Sequence, residues 1–441
     1  MKEVNEGKTA QSEKGNVSAL LPIAVFLVLY LGLGILFEYV LGISMGFYNI
    51  PIVVVFLIAL LVACFQNRKL PFDDKLVIMG RGIGDKTIVT MILIFMAAGV
   101  FVGTVGRDSA ESVAYLLLAI FPTEFAVVVL FIVSCFVSLS MGTSVGTITL
   151  ITPIAVAVSA ASGFDLPLCV ASVMGGAMFG DNLSFISDTT IAACQGQGCA
   201  MKDKFRENFK IALPAALVTL VIIMVLSFGA DLSGSVQNGY DLIELVPYLI
   251  VLVGGIIGIN VFVSGSIIVV ATGATAPTDL LANMGSGAAG MFETTMVAVL
   301  VSAICALIRE YGGFTALLNG IKSLFKSKKG GQLGMGLLVG AMDVATANNT
   351  VAIVMANPIA ADMAQTYGIS RRKTASILDT FSCVFQGILP YGAQMLVAIS
   401  AATELGYTLS AFQIIPLLFY PFMLLISSLV FIFLIPERKK S

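Results

Sequence analysis

Apolar runs of about twenty residues recur along this chain from Val17 to Ile435. A helix of that length spans the hydrocarbon core of a bilayer, which is about 30 Å thick. Hydrophobic residues make up 58% of the 441 residues and charged residues 11%, so a water-soluble fold would expose much of this apolar surface. We therefore expect an all-α integral membrane protein, surrounded by the lipid bilayer, with about 10–12 membrane-crossing elements.

The distribution of charge predicts how the chain lies in the membrane. The net charge of −2 argues against a basic surface for nucleic acid. Lys and Arg concentrate between the apolar runs, whereas residues 228–245 carry only acidic charges. The positive-inside rule then places the basic stretches and both termini in the cytoplasm, in a multi-pass protein of the cell (inner) membrane. The basic stretches are residues 68–86, 202–210, 322–329, 371–373 and 438–440.

An internal repeat emerges when the chain is aligned with itself at an offset of 205 residues. Residues 153–155 (Pro-Ile-Ala) then pair with residues 358–360 (Pro-Ile-Ala), and Gly163 pairs with Gly368. A small-polar segment also aligns, residues 141–147 with residues 346–352, each followed by a proline, a short helix and a glycine. The matching links carry little basic charge in the first half and much in the second, which predicts that the copies are inverted.

The repeat predicts the organisation of the whole chain. We expect a cytoplasmic tail over residues 1–16, a first inverted repeat over 17–228, an external linker over 229–242, a second inverted repeat over 243–436 and a cytoplasmic tail over 437–441. Each repeat should contain a re-entrant hairpin and a broken transmembrane helix. This is the usual construction of secondary transporters, because inverted halves can adopt outward-facing and inward-facing states of similar energy. Transport is therefore the leading functional class.

The segment over residues 180–190 carries the strongest chemical signal, since it holds two carboxylates and several hydroxyls directly after an apolar run. Such groups are costly in hydrocarbon unless they are paired or hydrated, so we expect them to line a cavity. Asp181 and Asp188 would share one face of a continuous helix, but Asn182 and Ser184 favour a break that frees backbone carbonyls. Carboxylates, carbonyls and hydroxyls suit a small hard cation, and the carboxylates can bind a proton when the cation is absent.

The candidate cation and proton ligands of the first half combine this segment with the small-polar segment before it. The alternative is that the Asp and Ser residues merely cap a cytoplasmic helix end. The candidates are Asp181, Asn182, Ser184, Ser187, Asp188, Thr189, Thr143, Ser144 and Thr147.

The second half offers a counterpart with different chemistry. Hairpin tips near the midplane present backbone dipole ends and neutral oxygens to a substrate. The alternative is that small residues only allow helices to approach closely, which explains a consecutive pair of asparagines poorly. The candidates for this substrate or ion site are Asp343, Thr346, Asn348, Asn349, Thr350, Asp379 and Gln386.

Several functional classes find little support in the sequence. The chain has no His, so proton coupling must use Asp or Glu. Residues 80–87 nearly fit a phosphate-binding loop, but Asp85 replaces the glycine whose backbone approaches phosphate. The Cys residues are scattered, and no nucleophile with a base is evident. We therefore expect no enzyme, no ATP-driven mechanism and no cofactor, with a small cation and protons as the transported species.

The two motifs of the first half, Ser-Met-Gly-Thr-Ser-Val-Gly-Thr over 140–147 and Gly-Asp-Asn-Leu-Ser-Phe-Ile-Ser-Asp-Thr-Thr over 180–190, resemble the NhaC family of sodium/proton antiporters. That family belongs to the broader ion-transporter superfamily, in which homodimers are common, so the resemblance makes a homodimer a possible assembly. The resemblance is specific over residues 87–210. Asn182 stands where the family usually has a basic residue, and Phe185 where it usually has proline.

Two hypotheses follow. The first is sodium/proton antiport by alternating access, with sodium and protons competing at Asp181 and Asp188. The second is a sodium-coupled symporter of a small amino or organic acid, in which Asn348 and Asn349 hydrogen-bond a substrate carboxylate. A channel or a membrane-bound enzyme explains the residues less well.

Overall fold

The computed structural model describes residues 15–43, 46, 49–230, 239–246, 248 and 277–435. All regular elements in these ranges are helical and none is a strand, which confirms the all-α expectation. The tail predicted over residues 437–441, nearly all of the tail over 1–16 and most of the external linker over 229–242 lie outside the described residues. The apolar sequence over 249–275 also lies outside them.

The helices before residue 230 are α1 (Leu21–Ile35), α2 (Ile52–Phe65), α3 (Phe72–Ile83), α4 (Lys86–Ile120), α5 (Ala126–Met141), α6 (Ser144–Ser162), α7 (Leu166–Leu183), α8 (Asp188–Gln197) and α9 (Met201–Phe228). The helices after residue 276 are α10 (Pro277–Gly290), α11 (Phe292–Glu310), α12 (Gly313–Leu324), α13 (Lys328–Thr346), α14 (Asn349–Tyr367), α15 (Arg371–Ile388), α16 (Ala393–Glu404), α17 (Ala411–Ile414) and α18 (Phe419–Phe433). Among the described residues, seven helical segments are long and apolar enough to cross a membrane, or up to nine if each bent pair is one span. The chain is therefore a multi-pass membrane protein, as the apolar runs predicted.

The described chain divides into two compact units. The first comprises residues 1–89 and 299–325. Its helix α3 occupies much of the basic stretch over residues 68–86, and Gly80 and Gly82 are helical rather than part of a phosphate-binding loop. The Lys75 ammonium is buried and donates to the carbonyl oxygens of Cys64 (2.7 Å) and Gln66 (2.8 Å), which satisfies carbonyls left free at the end of α2.

The second unit comprises residues 90–298 and 326–441 and contains every candidate site residue. In its first half, α5 and α6 form a helical hairpin, because Gly142 adopts a left-handed conformation (φ 69°) that ends α5 and Thr143 caps the start of α6. The first segment of the broken helix α7–α8, helix α7, packs along this hairpin, whereas α8 packs on α14 and α15 of the second half. The second half has the same order of elements, with a hairpin formed by α13 and α14 and a broken helix α15–α16.

The bounds of these elements correspond closely between the halves. Helices α6 and α14 begin and end 205 residues apart, and so do α7 and α15. The left-handed residue between the hairpin helices is Gly142 in the first half and Ala347 (φ 51°) in the second, again 205 residues apart. A left-handed alanine is uncommon, so the surrounding packing must hold this turn in place.

Close contact between α5 and α7 fixes the position of the first break relative to the α5–α6 hairpin. A Cβ atom on Gly176 would lie 2.3 Å from the carbonyl oxygen of Phe131, and one on Gly180 would lie 2.5 Å from that of Cys135. Glycines four residues apart allow helix backbones to approach each other in a membrane. Because Gly180 directly precedes Asp181, this contact positions the carboxylate beside the hairpin.

Candidate functional site

The break in the first half begins one turn after the α5–α7 contact. Helix α7 ends at Leu183 and α8 begins at Asp188, so the helix is interrupted at the place that Asn182 and Ser184 predicted. The Ser184 hydroxyl donates to the carbonyl oxygen of Leu139 (2.9 Å), which ties the break to the hairpin. Backbone carbonyls in the last turn of α7 are left without helical partners and become available as ligands.

The Asp181 carboxylate lies at the centre of this region and is buried. The Ser187 hydroxyl donates to Oδ1 (2.5 Å), and the Ser144 hydroxyl donates to Oδ2 (2.8 Å). Ser187 is in turn 2.8 Å from the Thr189 hydroxyl. A buried anion needs such donors, since an unpaired carboxylate is strongly disfavoured away from water.

Ser144 connects the two halves of the chain. Its hydroxyl oxygen accepts a hydrogen bond from Gln394 Nε2 (2.7 Å), and Gln394 lies at the start of α16, after the break of the second half. One serine at the first hairpin turn therefore contacts the carboxylate at the first break and the amide at the second. The candidate set contains Ser144 and Asp181 but not Gln394.

The remaining candidates of the first half lie at the edge of this cluster. Asp188 is exposed at the first position of α8. Thr143 accepts from the amide of Gly146 as the cap of α6, and the Thr147 hydroxyl donates to the carbonyl of Thr143 (2.9 Å), so both are engaged in local contacts. Asn182 is buried, and its amide donates to the Tyr420 hydroxyl (3.2 Å).

A buried ion pair lies next to the break. The Lys204 ammonium is 2.8 Å from Asp379 Oδ2, and both side chains are about 1% exposed. The ammonium also donates to the carbonyl oxygen of Asn182 (3.1 Å) and to the Thr190 hydroxyl (2.6 Å). Lys204 belongs to the first half and Asp379 to the second, so this pair is a second connection between the halves.

The sequence analysis placed Lys204 in the basic stretch over residues 202–210 and gave it no role at the site. It lies in helix α9 and is buried. A helical pattern could have found it, because the buried positions Lys204, Asn208, Ile211 and Ala215 recur at intervals of three or four along α9. Asn208, also missed, donates to Asp379 Oδ2 (2.7 Å) and to the carbonyl of Asn182 (3.0 Å).

In the second half, Asp343 is the most deeply buried of the candidates. It is 0% exposed, and neither of its carboxylate oxygens has a hydrogen-bond partner among the described residues. Gln386 donates from Nε2 to the carbonyl oxygen of Ala347 (3.0 Å), which links the second break to its own hairpin turn. The Oε1 atoms of Gln386 and Gln394 are buried and, within the described part of the chain, also lack a donor.

In the second turn, Asn348 caps helix α14 and its polar neighbours make local hydrogen bonds. The Asn348 side chain accepts from the amide of Val351 (2.8 Å), and Thr346 donates to the carbonyl of Asn348 (3.1 Å). Asn349 and Thr350 are half-buried, and the Asn349 side-chain oxygen accepts from the Thr350 amide (3.0 Å). Among the described residues, no group of three or more His, Cys, Asp or Glu side chains is close enough to hold a metal ion.

Known proteins that resemble this chain include two that are named antiporters. An Na(+)/H(+) antiporter NhaC of Bacillus subtilis (strain 168) is 25% identical over 355 residues, which are 70% of this chain and 77% of the relative. A malate-2H(+)/Na(+)-lactate antiporter of the same strain is 27% identical over 236 residues, 50% of each protein. An uncharacterized protein of Haemophilus influenzae is 34% identical over 127 residues, 28% of this chain and 24% of the relative. The matched region thus spans half or less of these last two relatives.

A family model described as the Na+/H+ antiporter family matches residues 3–229 and 241–434. The match covers both hairpins, both broken helices and the Asp181 site. This chain belongs to the Na+/H+ antiporter family.

Proposed function

We propose that this protein exchanges sodium ions for protons across the cell (inner) membrane by alternating access, with Asp181 as the shared ligand. Membership of an antiporter family supports a transporter rather than an enzyme. The observation that carries the proposal is the Asp181 carboxylate, which is buried among hydroxyl groups where one hairpin turn and two helix breaks meet. Binding sites of secondary transporters are built from discontinuous helices of this kind.

Competition for one carboxylate supplies the coupling. An ionised carboxylate offers two oxygens to a sodium ion, together with the Ser187, Thr189 and Ser144 hydroxyls. A proton on the same group removes the charge and turns one oxygen into a donor, so the sodium ion loses its main ligand. Because the site holds either a sodium ion or a proton, each change of access carries one species in each direction. The gradient of one ion can then drive movement of the other.

Asp188 is proposed as the second carboxylate that serves sodium and protons. It is exposed at the N-terminus of α8, between the Ser187 and Thr189 residues whose hydroxyls lead to Asp181. An exposed carboxylate attracts cations from water and raises their local concentration. A sodium ion bound at Asp188 would move across the break to Asp181.

The two halves are proposed to be inverted repeats that rock about this site. The repeat is supported by helix ends that lie 205 residues apart in the two halves and by the matching left-handed residues in the two hairpin turns. The opposite charge bias of the matching links supports the inversion, with both termini cytoplasmic. In the second repeat, Asp343 is the proposed additional proton or cation ligand, because an ionised form would lie buried without a donor among the described residues.

Organic-acid exchange is the second candidate function. One relative is named a malate-2H(+)/Na(+)-lactate antiporter, and it shares 27% identity with this chain over 236 residues. In this chain, the amide groups of Asn348, Asn349, Gln386 and Gln394 would hydrogen-bond a substrate carboxylate. This function would keep sodium and protons as coupling ions and add an anionic substrate.

Flux measurements in liposomes test both functions. The purified protein is reconstituted with a pH-sensitive dye inside, and sodium, lithium or potassium is added outside at clamped voltage. Alkalinisation inside on sodium addition alone supports the antiporter, whereas a response that requires malate or lactate supports the second function. No response to any cation or acid would contradict both.

Matched variants then test the site. Asp181→Asn is expected to lower the sodium-dependent rate at least about 100-fold, since loss of a ligand charge costs about 3 kcal/mol or more. The control Asp362→Asn changes an exposed carboxylate on α14 and should retain the wild-type rate. Wild-type exchange in Asp181→Asn would move the site elsewhere.

A further inference from the structure

The Lys204 ammonium lies in a cage of oxygen atoms. Its Nζ atom contacts Asp379 Oδ2 at 2.8 Å, the carbonyl oxygen of Asn182 at 3.1 Å and Thr190 Oγ1 at 2.6 Å. These oxygens belong to one carboxylate, one backbone carbonyl at the end of a broken helix and one hydroxyl. The same three oxygen types are those that bind small hard cations in proteins.

Neighbouring side chains hold the cage in position independently of Lys204. Asn208 donates from Nδ2 to both Asp379 Oδ2 (2.7 Å) and the carbonyl oxygen of Asn182 (3.0 Å). The Ser376 hydroxyl donates to Asn208 Oδ1 (2.5 Å), which fixes the orientation of the amide. A ligand set that is fixed by surrounding hydrogen bonds does not depend on its occupant for its geometry.

The cage lies close to the Asp181 site. Asn182 supplies the carbonyl oxygen, directly after Asp181 in the chain, and Asp181 interacts electrostatically with both Asp379 and Lys204. A cation in the cage therefore interacts with the cation or proton at Asp181. The cage also joins the two halves, because Asp379 is on α15 whereas Asn182 and Thr190 belong to the first broken helix.

We propose that the cage formed by Asp379, the Asn182 carbonyl and Thr190 is a binding site for a monovalent cation, and that the Lys204 ammonium is its occupant in this conformation. A sodium ion takes the same oxygens when Lys204 moves out. The Lys204 ammonium and the transported ion thus alternate in one site. The alternation of sodium with Lys204 rests on the proposed sodium/proton exchange. The binding of a monovalent cation by the cage does not.

Removal of the tethered ammonium tests the cage directly. Lys204→Ala deletes the charge and leaves room for a free ion. Its unfolding temperature in detergent is measured in sodium chloride and in methylammonium chloride, each against choline chloride at equal ionic strength. We expect a saturable rise of at least about 2 °C with sodium or methylammonium. The double variant Lys204→Ala/Asp379→Asn keeps the space but removes the charge of the cage, so it should retain only the response of the Asp181 site to sodium and should not respond to methylammonium.

A second variant, Thr190→Val, tests the cage if Lys204→Ala does not fold. Thr190→Val replaces one cage hydroxyl by a methyl group and leaves the ion pair intact. We expect its KM for sodium in liposomes to rise about tenfold, the loss equivalent to one hydrogen-bond ligand. The control Thr219→Val removes a buried hydroxyl on α9 that donates only to the carbonyl of Ala215, and should keep the wild-type KM.

The outcomes separate this inference from the proposed function. If wild-type protein exchanges sodium for protons but Lys204→Ala responds no more than the double variant, the cage is not a cation site. An unchanged KM for sodium in Thr190→Val would overturn the alternation of sodium with Lys204. If Lys204→Ala binds cations but wild-type protein transports none, the cage stands and the proposed function fails.

Discussion

Replacement of Asp379 by asparagine is expected to lower the free energy of unfolding by about 3–5 kcal/mol. The Lys204 ammonium would then stay buried, about 1% exposed, without a counter-charge and with only neutral acceptors. Desolvation of an ammonium costs several kcal/mol, and neutral oxygens offset only part of that cost. The reverse change, Lys204→Met, strands the carboxylate and should have an effect of similar size.

A second ion pair between the same two helices provides the control. Arg372 on α15 lies 3.2 Å from Glu207 on α9, but the arginine side chain is 28% exposed. Pairs that remain in contact with water contribute about 0–1 kcal/mol. Arg372→Ala should therefore cost about 1 kcal/mol or less, although this ion pair joins the same two helices.

Loss of both charges should largely restore stability. In Lys204→Met/Asp379→Leu no charge is left unpaired, and replacement of a buried ion pair by apolar groups is often neutral or stabilising by about 1–4 kcal/mol. The double variant should therefore be more stable than either single variant. It should also be inactive if the cage takes part in transport.

Unfolding can be followed with a thiol-reactive dye. The chain has no Trp, but Cys169, Cys194, Cys305 and Cys383 are buried and become reactive only when the protein unfolds. For a chain of 441 residues, a loss of about 3–5 kcal/mol corresponds to a decrease of roughly 3–5 °C in Tm. A decrease for Asp379→Asn no larger than that for Arg372→Ala would refute the reasoning, and so would a double variant as unstable as the two single changes combined.

Four further predictions concern the site and its surroundings. Gly180→Ala should unfold at a temperature several degrees lower or lose transport, because its Cβ would lie 2.5 Å from the Cys135 carbonyl oxygen; normal Tm and rate would show that α5 and α7 can separate. The apparent KM for sodium should rise with external proton concentration while the maximal rate stays constant, and a constant KM would exclude a shared carboxylate. Asp343→Asn should fold with near-wild-type Tm, since it removes a charge without a donor, but should change the number of protons moved per sodium ion, read from the reversal potential. The Cys194 side chain hydrogen-bonds to Cys199 and lowers the pKa of the Cys199 thiol, so Cys199 should react with maleimide at lower pH than an ordinary thiol, and Cys194→Ala should move that midpoint upward.

Local patterns predicted the elements around the site because the forces that form them are local. The position of the first break could be predicted from Asn182 and Ser184, since such residues compete with helical hydrogen bonds through their side chains. The ends of α6 and α14 follow from Gly163 and Gly368, which both adopt the left-handed conformation at a helix end. Because the two halves align at an offset of 205 residues, an element predicted in one half could also be predicted in the other.

Contacts between distant parts of the chain were harder to predict. Lys204 is one of several basic residues in a short stretch; its helical register indicates burial, but nothing near it in the sequence indicates its partner Asp379 in the other half. The link from Gln394 to Ser144 joins residues 250 positions apart and leaves no local signal. Asn357, which donates to the carbonyl of Ala192 and accepts from Gln197, is a third such link that no motif indicated.

Because Ser144 bridges Asp181 and Gln394, protonation of Asp181 would also affect a residue of the second half. A hydroxyl has a single hydrogen, which here points to Asp181 while its oxygen receives the Gln394 amide. When Asp181 gains a proton and becomes the donor, the serine hydrogen must rotate away and find another acceptor. The Gln394 amide at the start of α16 then faces a Ser144 hydroxyl whose hydrogen points in a different direction. In the proposed exchange, rotation of this one O–H bond would thus couple the charge state of Asp181 to a helix of the second half.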